Sequence, residues 1–393
     1  PTVIAHHYSQ AGEAETSFRF WMLAAERSYR RLALNESIAN LNSAVAEADR
    51  VAGAELSTRL RLDAKLRLSA TLVIQKGPQD AEAVAALQTA AALAKEANAR
   101  PQLFQATWGL YINEARNRRY DRAEIFGNEL RRISEELGDS DLQYETLHHR
   151  WGLTFFTGQT SKLLECSAEG IERYDRERHH KLSQVYAGHD AGVCAYCFRA
   201  LALGLTGRAR IQPTVAAALE LATSLEHPLT LAFAHSVAAG TLHLVGDLGG
   251  ARESAEQLIR VSTKYDFAVQ RTVGRFILGA TRILQDDPAA ALAEMEPTFE
   301  ATLGYGFLGL LPATIMCESL AHAGRHKEAL ALVTRVLNDL PTPEIGSFIS
   351  ELWRMRGELA QRLGNGAHAE AERHLALALR IARSQGAPVY NIR

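Results

Sequence analysis

LHLVGDLGGARESAEQL, at Leu242–Leu258, closes one apolar helix on a Gly-Asp turn and opens a second helix rich in Ala. The phrase returns as RILQDDPAAALAEM at Arg282–Met295, as ESLAHAGRHKEALALV at Glu318–Val333 and as AQRLGNGAHAEAERHLALAL at Ala360–Leu379. Its turn residues Gly246, Asp286, Gly324 and Gly364 are spaced by 40, 38 and 40, about the length of two short helices and two turns. Upstream, Gly77, Arg118, Gly158 and Gly207 continue the series at 41, 40 and 49, the last step absorbing an insertion. One such helix pair has too little apolar surface to fold alone and must stack on its neighbours. The expected fold is therefore all-α, a right-handed solenoid of stacked antiparallel helix pairs with a period of about 40 residues.

The helical pattern holds outward from this phrase. In Asn35–Arg50, Ile38, Leu41, Val45 and Ala48 form one apolar stripe at spacings of three and four, with Asn35 placed to cap and Glu36 in the first turn. Leu56–Ile74 follows and ends at the breaker Lys76–Pro78. Helix pairs are then expected at 79–98 with 102–117, 121–137 with 141–157, and a helix at 161–177. After a basic connection at Arg176–Lys181, Tyr186–Gly207 pairs with Arg210–Leu225. Later pairs are 229–245 with 248–264, 268–284 with 288–302, 310–323 with 326–339, and 345–363 with 367–385. No alternating run is long enough to propose a sheet. Two segments are expected: an N-terminal helical segment over 1–76 and the repeats over 77–393.

The 393 residues carry 43 Lys and Arg against 45 Asp and Glu, a net charge of −2. Direct nucleic-acid binding needs a clear basic excess and is not expected. No stretch reaches the roughly 18 unbroken apolar residues of a membrane helix, and the amino end lacks the pattern of a signal peptide. A cytoplasmic location away from the membrane is expected. The chain opens on Pro1 rather than Met, so a piece of a longer protein is expected. Cys166, Cys194, Cys197 and Cys317 are too few and too irregular for a disulfide framework and fit a reducing compartment.

Motifs that carry chemistry are weak. GYGFLG at Gly304–Gly309 has dinucleotide-loop spacing but follows a helix rather than a strand, so it reads as an inter-repeat turn. Cys194-Ala-Tyr-Cys197, with His189 five residues before it, has zinc-like spacing, yet neither a second CxxC nor an HxxxH lies nearby to complete four ligands. It reads as packing cysteines, with no metal, cofactor or catalytic group expected. His6-His7, His148-His149 and His179-His180 are adjacent pairs, and adjacent helical residues point about 100° apart, away from a shared ligand. Asp190 sits where it can cap a helix, with His189 beside it.

The first helices of the pairs offer polar and aromatic residues to a concave face. These candidate partner-binding positions are Trp108, Tyr111, Glu114, His149, Trp151, His189, Asp190, Tyr196, His235, Arg271 and Arg275. Arg271 and Arg275 share a face at i and i+4, a spacing that can receive one carboxylate or phosphate.

Three stretches carry a family resemblance: AHHYSQAGEAETSFRFWMLAAERSYRRLALNESIANLNSAVA at Ala5–Ala46, GHDAGVCAYCFRALALGLTG at Gly188–Gly207, and the ending ELWRMRGELAQRLGNGAHAEAERHLALALRIARSQGAPVYNIR. Through them the chain resembles the tetratricopeptide-like C-terminal region of bacterial P-loop (STAND/AAA-type) ATPase proteins, often fused to class III adenylate/guanylate cyclase domains. The period near 40 departs from the 34 of a standard tetratricopeptide, so generic groove positions do not transfer. No Walker A pattern occurs here. The resemblance implies a regulatory region that binds a protein segment, peptide or small effector and acts on upstream domains of the same chain. A homodimer that pairs those domains, through an apolar face at His374–Ile381, is the alternative it implies.

Overall fold

A computed structural model describes residues 1–77, 79–186, 188–207, 211–283, 288–306, 308–364 and 368–387. Among them every regular element is helical. In chain order these are α1 (Thr2–Gln10), α2 (Ala14–Arg30), α3 (Leu34–Ala48), α4 (Ala54–Lys76), α5 (Ala81–Glu96), α6 (Arg100–Arg116), α7 (Tyr120–Leu137) and α8 (Ser140–Phe156). Then come α9 (Thr160–Glu172), α10 (Arg176–His179), a 3-10 turn at His180–Gln184, α11 (Ala191–Leu205), α12 (Gln212–Ser224), α13 (Pro228–Leu244) and α14 (Leu248–Lys264). The last are α15 (Ala268–Arg282), α16 (Pro288–Tyr305), α17 (Leu311–His322), α18 (His326–Asn338), α19 (Ile349–Leu363) and α20 (His368–Gln385).

The period has a physical origin in the helix ends. Gly246 lies at φ 82°, its N–H donates to His243 O at 3.0 Å, and the next N–H, of Asp247, reaches back to Leu242 O at 2.9 Å. This is the Schellman closure, which satisfies orphan carbonyls and needs one left-handed residue just past the helix. The same closure recurs at Gly158 and Gly324, and Gly77, Gly207 and Gly364 are left-handed as well. At Arg118 the chain accepts φ 58° without a glycine. Asp286, the remaining marker, lies outside the described residues.

Boundaries shift where caps were misread. Asn35 does not cap α3; the N-cap is Ala33, and Asn35 Oδ1 instead accepts from Gln75 Nε2. The stretch from Tyr186 is not helical until Ala191, because Gly188 turns left-handed and Asp190 caps. The helix expected from 345 begins at Ile349, after Phe348 at φ 69°. The expected start at Arg210 falls outside the described residues; α12 itself begins at Gln212.

Contacts divide the chain into two compact units: Pro1–Asn117, Asp121–Thr146 and Lys181–Gly188 in the first, and Arg118–Tyr120, Leu147–His180 and His189–Arg393 in the second. In the first unit each of α1–α5 packs on the next. Phe18, Met22, Leu41, Leu68 and Leu72 form a core, with Ala25, Ala44, Ala48, Ala64 and Ala83 allowing close approach.

In the second unit, packing runs both between neighbours in sequence and between alternate helices. The chain of contacts α11 to α13 to α15 to α17 to α19 makes one continuous layer, and α12, α14, α16, α18 and α20 back it. This two-layer ladder is the solenoid. Far from being open-ended, the ladder meets its own beginning. The Phe155 ring lies 6.2 Å from that of Phe348 and 5.2 Å from that of Phe198, and the Ser347 hydroxyl donates to Phe155 O. Gln385 Nε2 donates to Gly346 O at 2.9 Å, and a side chain at Gly158 would strike Gln385.

Candidate functional site

The layer α13–α19 borders a cleft in the second unit. One cavity, of about 390 Å³, is lined by His243 and Leu244 of α13, Ala280 and Ile283 at the end of α15, Ile315, Glu318 and His322 of α17, and Glu351 of α19. A second, of about 660 Å³, lies between α17 and α19 and is lined by Glu318, His322, Arg354, Met355, Glu358 and Arg362. Glu318 and His322 border both, as one helical turn apart on one face requires.

Charge in this cleft is organised around Arg354. Its Nε donates to Glu351 Oε2 at 2.9 Å, and its Nη1 bonds Glu358. Burial opposes the guanidinium charge, but the hydrogen bonds and fields of Glu351 and Glu358 outweigh it and raise the Arg354 pKa. Glu351 is buried, and Arg354 supplies its counter-charge. The described lining residues of the two cavities include the carboxylates Glu318, Glu351 and Glu358 and the guanidiniums Arg354 and Arg362. The balance suits a partner that supplies hydrogen-bond donors or a positive group.

The residues singled out from sequence lie elsewhere. Trp108 and Tyr111 are buried inside the first unit, where Trp108 and Phe104 pack on Tyr186 at 5.7 and 5.8 Å. Glu114, also buried there, pairs with Arg122 at 3.6 Å. In the second unit His149 and Trp151 are buried, and Tyr196 is half-buried. Apolar first helices stack these groups into the interior instead of presenting them. Arg271 pairs with Asp266 at 3.3 Å, and Arg275 is exposed on the same helix. His235 is half-buried, and burial followed by the field of Arg260 lowers its pKa to about 4, so it is neutral at pH 7.

Asp190 is a structural cap. Its Oδ1 accepts from the Val193 N–H at 3.1 Å, and its Oδ2 accepts from Tyr174 Oη at 2.9 Å and bonds His180 Nδ1 at 3.0 Å. Its own N–H donates to Thr230 Oγ1 at 3.0 Å. His189 beside it stacks on Phe233, with centroids 4.0 Å apart, and meets His148 edge-on at 5.5 Å. Cys194 accepts the Trp151 indole N–H at 3.3 Å. One ligand atom from each of His148, His189 and Cys194 lies within 4.8 Å of the other two. The sequence places His189 and Cys197 near Cys194; the structure brings Cys194 together with His189 and with His148 of α8. Cys197 is buried, and burial pushes its thiol pKa well up.

Glu318, His322, Glu351 and Arg354 escaped the sequence reading. Their signal was present: Glu318 with His322 is an i, i+4 pair and Glu351 with Arg354 an i, i+3 pair, each on a first helix.

No protein-family profile matches the chain. An uncharacterized protein of Rhizobium meliloti (strain 1021) is 26% identical over 396 residues, covering 98% of this chain. The chain spans 37% of that relative's length. Among solved structures, a Rap protein complexed with competence and sporulation factor superposes with a TM-score of 0.56 at 12% identity, covering 95% of this chain and 99% of that one. The likeness establishes the fold, a tetratricopeptide-like α-solenoid. No described helix is long and apolar enough to cross a membrane.

Proposed function

We propose that this chain is a non-catalytic interaction module that holds a peptide or protein segment in the α13–α19 cleft. The observation that carries the reading is the pair of adjoining cavities sharing Glu318 and His322, with the Glu351–Arg354–Glu358 cluster on one side. Apolar Leu311, Ile315 and Met355 supply area, and the charged groups supply orientation. The Rap protein of similar fold, solved with a bound factor, supports the same use of the architecture. In this reading the module acts within a longer cytoplasmic chain. Ligand occupancy shifts the balance between two states of neighbouring nucleotide-dependent domains, ATPase or cyclase, through differential affinity. The greater length of the Rhizobium relative is compatible with such neighbours, and exposed Val3 and Ile4 on α1, within residues 1–76, are the surface we assign to them.

The test is selection from a displayed random-peptide library on the purified chain, with each binder measured again on a Glu318→Ala/His322→Ala variant of matched thermal stability. Binders that weaken at least tenfold support the cleft. A library that yields no binder, or binders indifferent to both substitutions, refutes it. The homodimer reading has thinner support. On α20, Ala378 and Ile381 are buried and His374 packs on Trp353 at 5.0 Å, leaving Leu379 as the exposed large apolar residue of the proposed face.

A further inference from the structure

We propose that His148, His189 and Cys194 form a binding site for one soft d10 cation, Cu(I) in preference to Zn(II). The three side chains come from α8, the turn before α11 and α11 itself. All three are buried, with ligand atoms mutually within 4.8 Å. Bonds of about 2.0–2.3 Å to one cation bring such atoms to roughly 3.5 Å from each other, a contraction that small side-chain rotations supply.

The surroundings already hold the ligands in place. Phe233 stacks on the His189 ring at an interplanar angle of 14°, and Trp151 lies against the His148 ring at 5.1 Å. The Trp151 indole N–H donates to Cys194 Sγ at 3.3 Å. A donor aimed at sulfur favours the thiolate, the form that binds metal. Asp190, the nearest carboxylate in sequence, does not compete as a ligand, because both its oxygens are engaged by Val193, Tyr174 and His180.

Charge and coordination number select the cation. A thiolate with two neutral imidazoles carries −1; Cu(I) brings the three-ligand cluster to zero, whereas Zn(II) leaves it at +1. Zn(II) also takes four ligands almost without exception, and the cluster supplies three. Thiolate and imidazole are the donors that soft cations select. Binding displaces the Cys194 proton to solvent, with no change in the oxidation state of metal or sulfur. His148 and His189 retain 5% and 6% exposure.

The experiment titrates the reduced full chain anaerobically with Cu(I) against a chromogenic Cu(I) chelator, and separately with Zn(II). One equivalent of Cu(I) is expected, together with thiolate-to-metal absorption and quenching of Trp151 fluorescence. Cys194→Ser and His148→Gln are each expected to weaken Cu(I) binding at least tenfold, while Cys317→Ser, a buried cysteine outside the cluster, retains it. Trp151→Phe loses most of the quenching but not the stoichiometry. Circular dichroism on each variant separates ligand loss from unfolding. Absence of stoichiometric Cu(I) on the folded chain, or Cys194→Ser binding as wild type does, overturns the site. Tighter Zn(II) than Cu(I) binding with the same residue dependence overturns the choice of cation.

Discussion

Phe155→Ala tests whether the second unit behaves as a closed ladder. Phe155 is fully buried, and its ring meets Phe156 at 5.4 Å, Phe198 at 5.2 Å and Phe348 at 6.2 Å. Truncating a fully buried Phe costs about 3–5 kcal/mol, from lost transfer energy and the cavity left behind. In an open solenoid that loss stays with nearest neighbours. Here Phe155 also touches Phe348, across a sequence separation of 193 residues, so the loss must reach α19 and α20. At about 1.4 kcal/mol per decade, a loss of 3 kcal/mol speeds globally opening amides more than a hundredfold. The assay is native-state hydrogen exchange on wild type, Phe155→Ala and a control, Phe276→Ala. Phe276 is as deeply buried but pairs with Phe299 within the adjacent helices α15 and α16. Amides of α19 and α20 are expected to accelerate selectively in Phe155→Ala. If acceleration is confined to α8 and α9, closure does not couple the ends and the reasoning fails.

Acidification gives a second handle. His227 and His235 are each lowered to about 4 by burial first, then by His180 for His227 and Arg260 for His235. The unfolded chain takes up those protons near pH 6.5 while the fold resists until about 4. Stability is therefore unaffected above pH 7 and falls between 6.5 and 4, by about 3 kcal/mol per histidine at most. Urea titrations across that window should flatten in His235→Gln; an unchanged slope rejects the assignment. Asp190→Ala removes the cap of α11 and the acceptor of the Tyr174 hydroxyl bond, an expected loss of about 1–3 kcal/mol. Asp190→Asn should keep most of the cap, and equal losses from both would contradict it. Gly170→Ala drives a methyl into the Trp151 ring at about 1–3 kcal/mol and should weaken Cu(I) binding too. Gly246→Ala meets open space and should cost only the left-handed strain, about 1 kcal/mol; thermal melts of the two decide.

The repeat was legible because helix ends obey local chemistry. A left-handed residue is needed once per Schellman closure, so Gly246, Gly324 and Gly364 mark the period whatever the packing around them. The cap at Asp190 was legible for the same reason. Burial of Trp108, Tyr111 and Trp151 was not, because an aromatic on a first helix reads alike whether it lines a groove or fills a layer. The metal-like cluster was missed for a more instructive reason. The CxxC spacing draws attention to Cys194, Cys197 and nearby His189, while a solenoid places side by side positions one period apart, such as His148. His148 and His189 are separated by 41 residues, and the bond from the Asp190 N–H to Thr230 spans 40. Clusters in such folds are found by scanning at the repeat length.

Closure alters what a ligand in the cleft can do. In an open array, a peptide bound between α13 and α19 stabilises only the interfaces it touches, because each repeat senses its immediate neighbours. With Ser347 and Phe348 packed on Phe155, and Gln385 against Gly158, the first and last helices of the unit share an additional interface. Binding energy spent on fixing α17 and α19 then also holds α8 and α9, where His148 and Trp151 sit. If the cleft takes the proposed peptide and Cys194 the proposed cation, any influence of one on the other has the same factor in both directions. Measuring peptide affinity with and without Cu(I), and Cu(I) affinity with and without peptide, reads that factor twice. Equal factors above unity are expected in the wild type. Factors that collapse to unity in Phe155→Ala assign the coupling to the closure, whereas a wild-type factor of one leaves the ring with no role in communication.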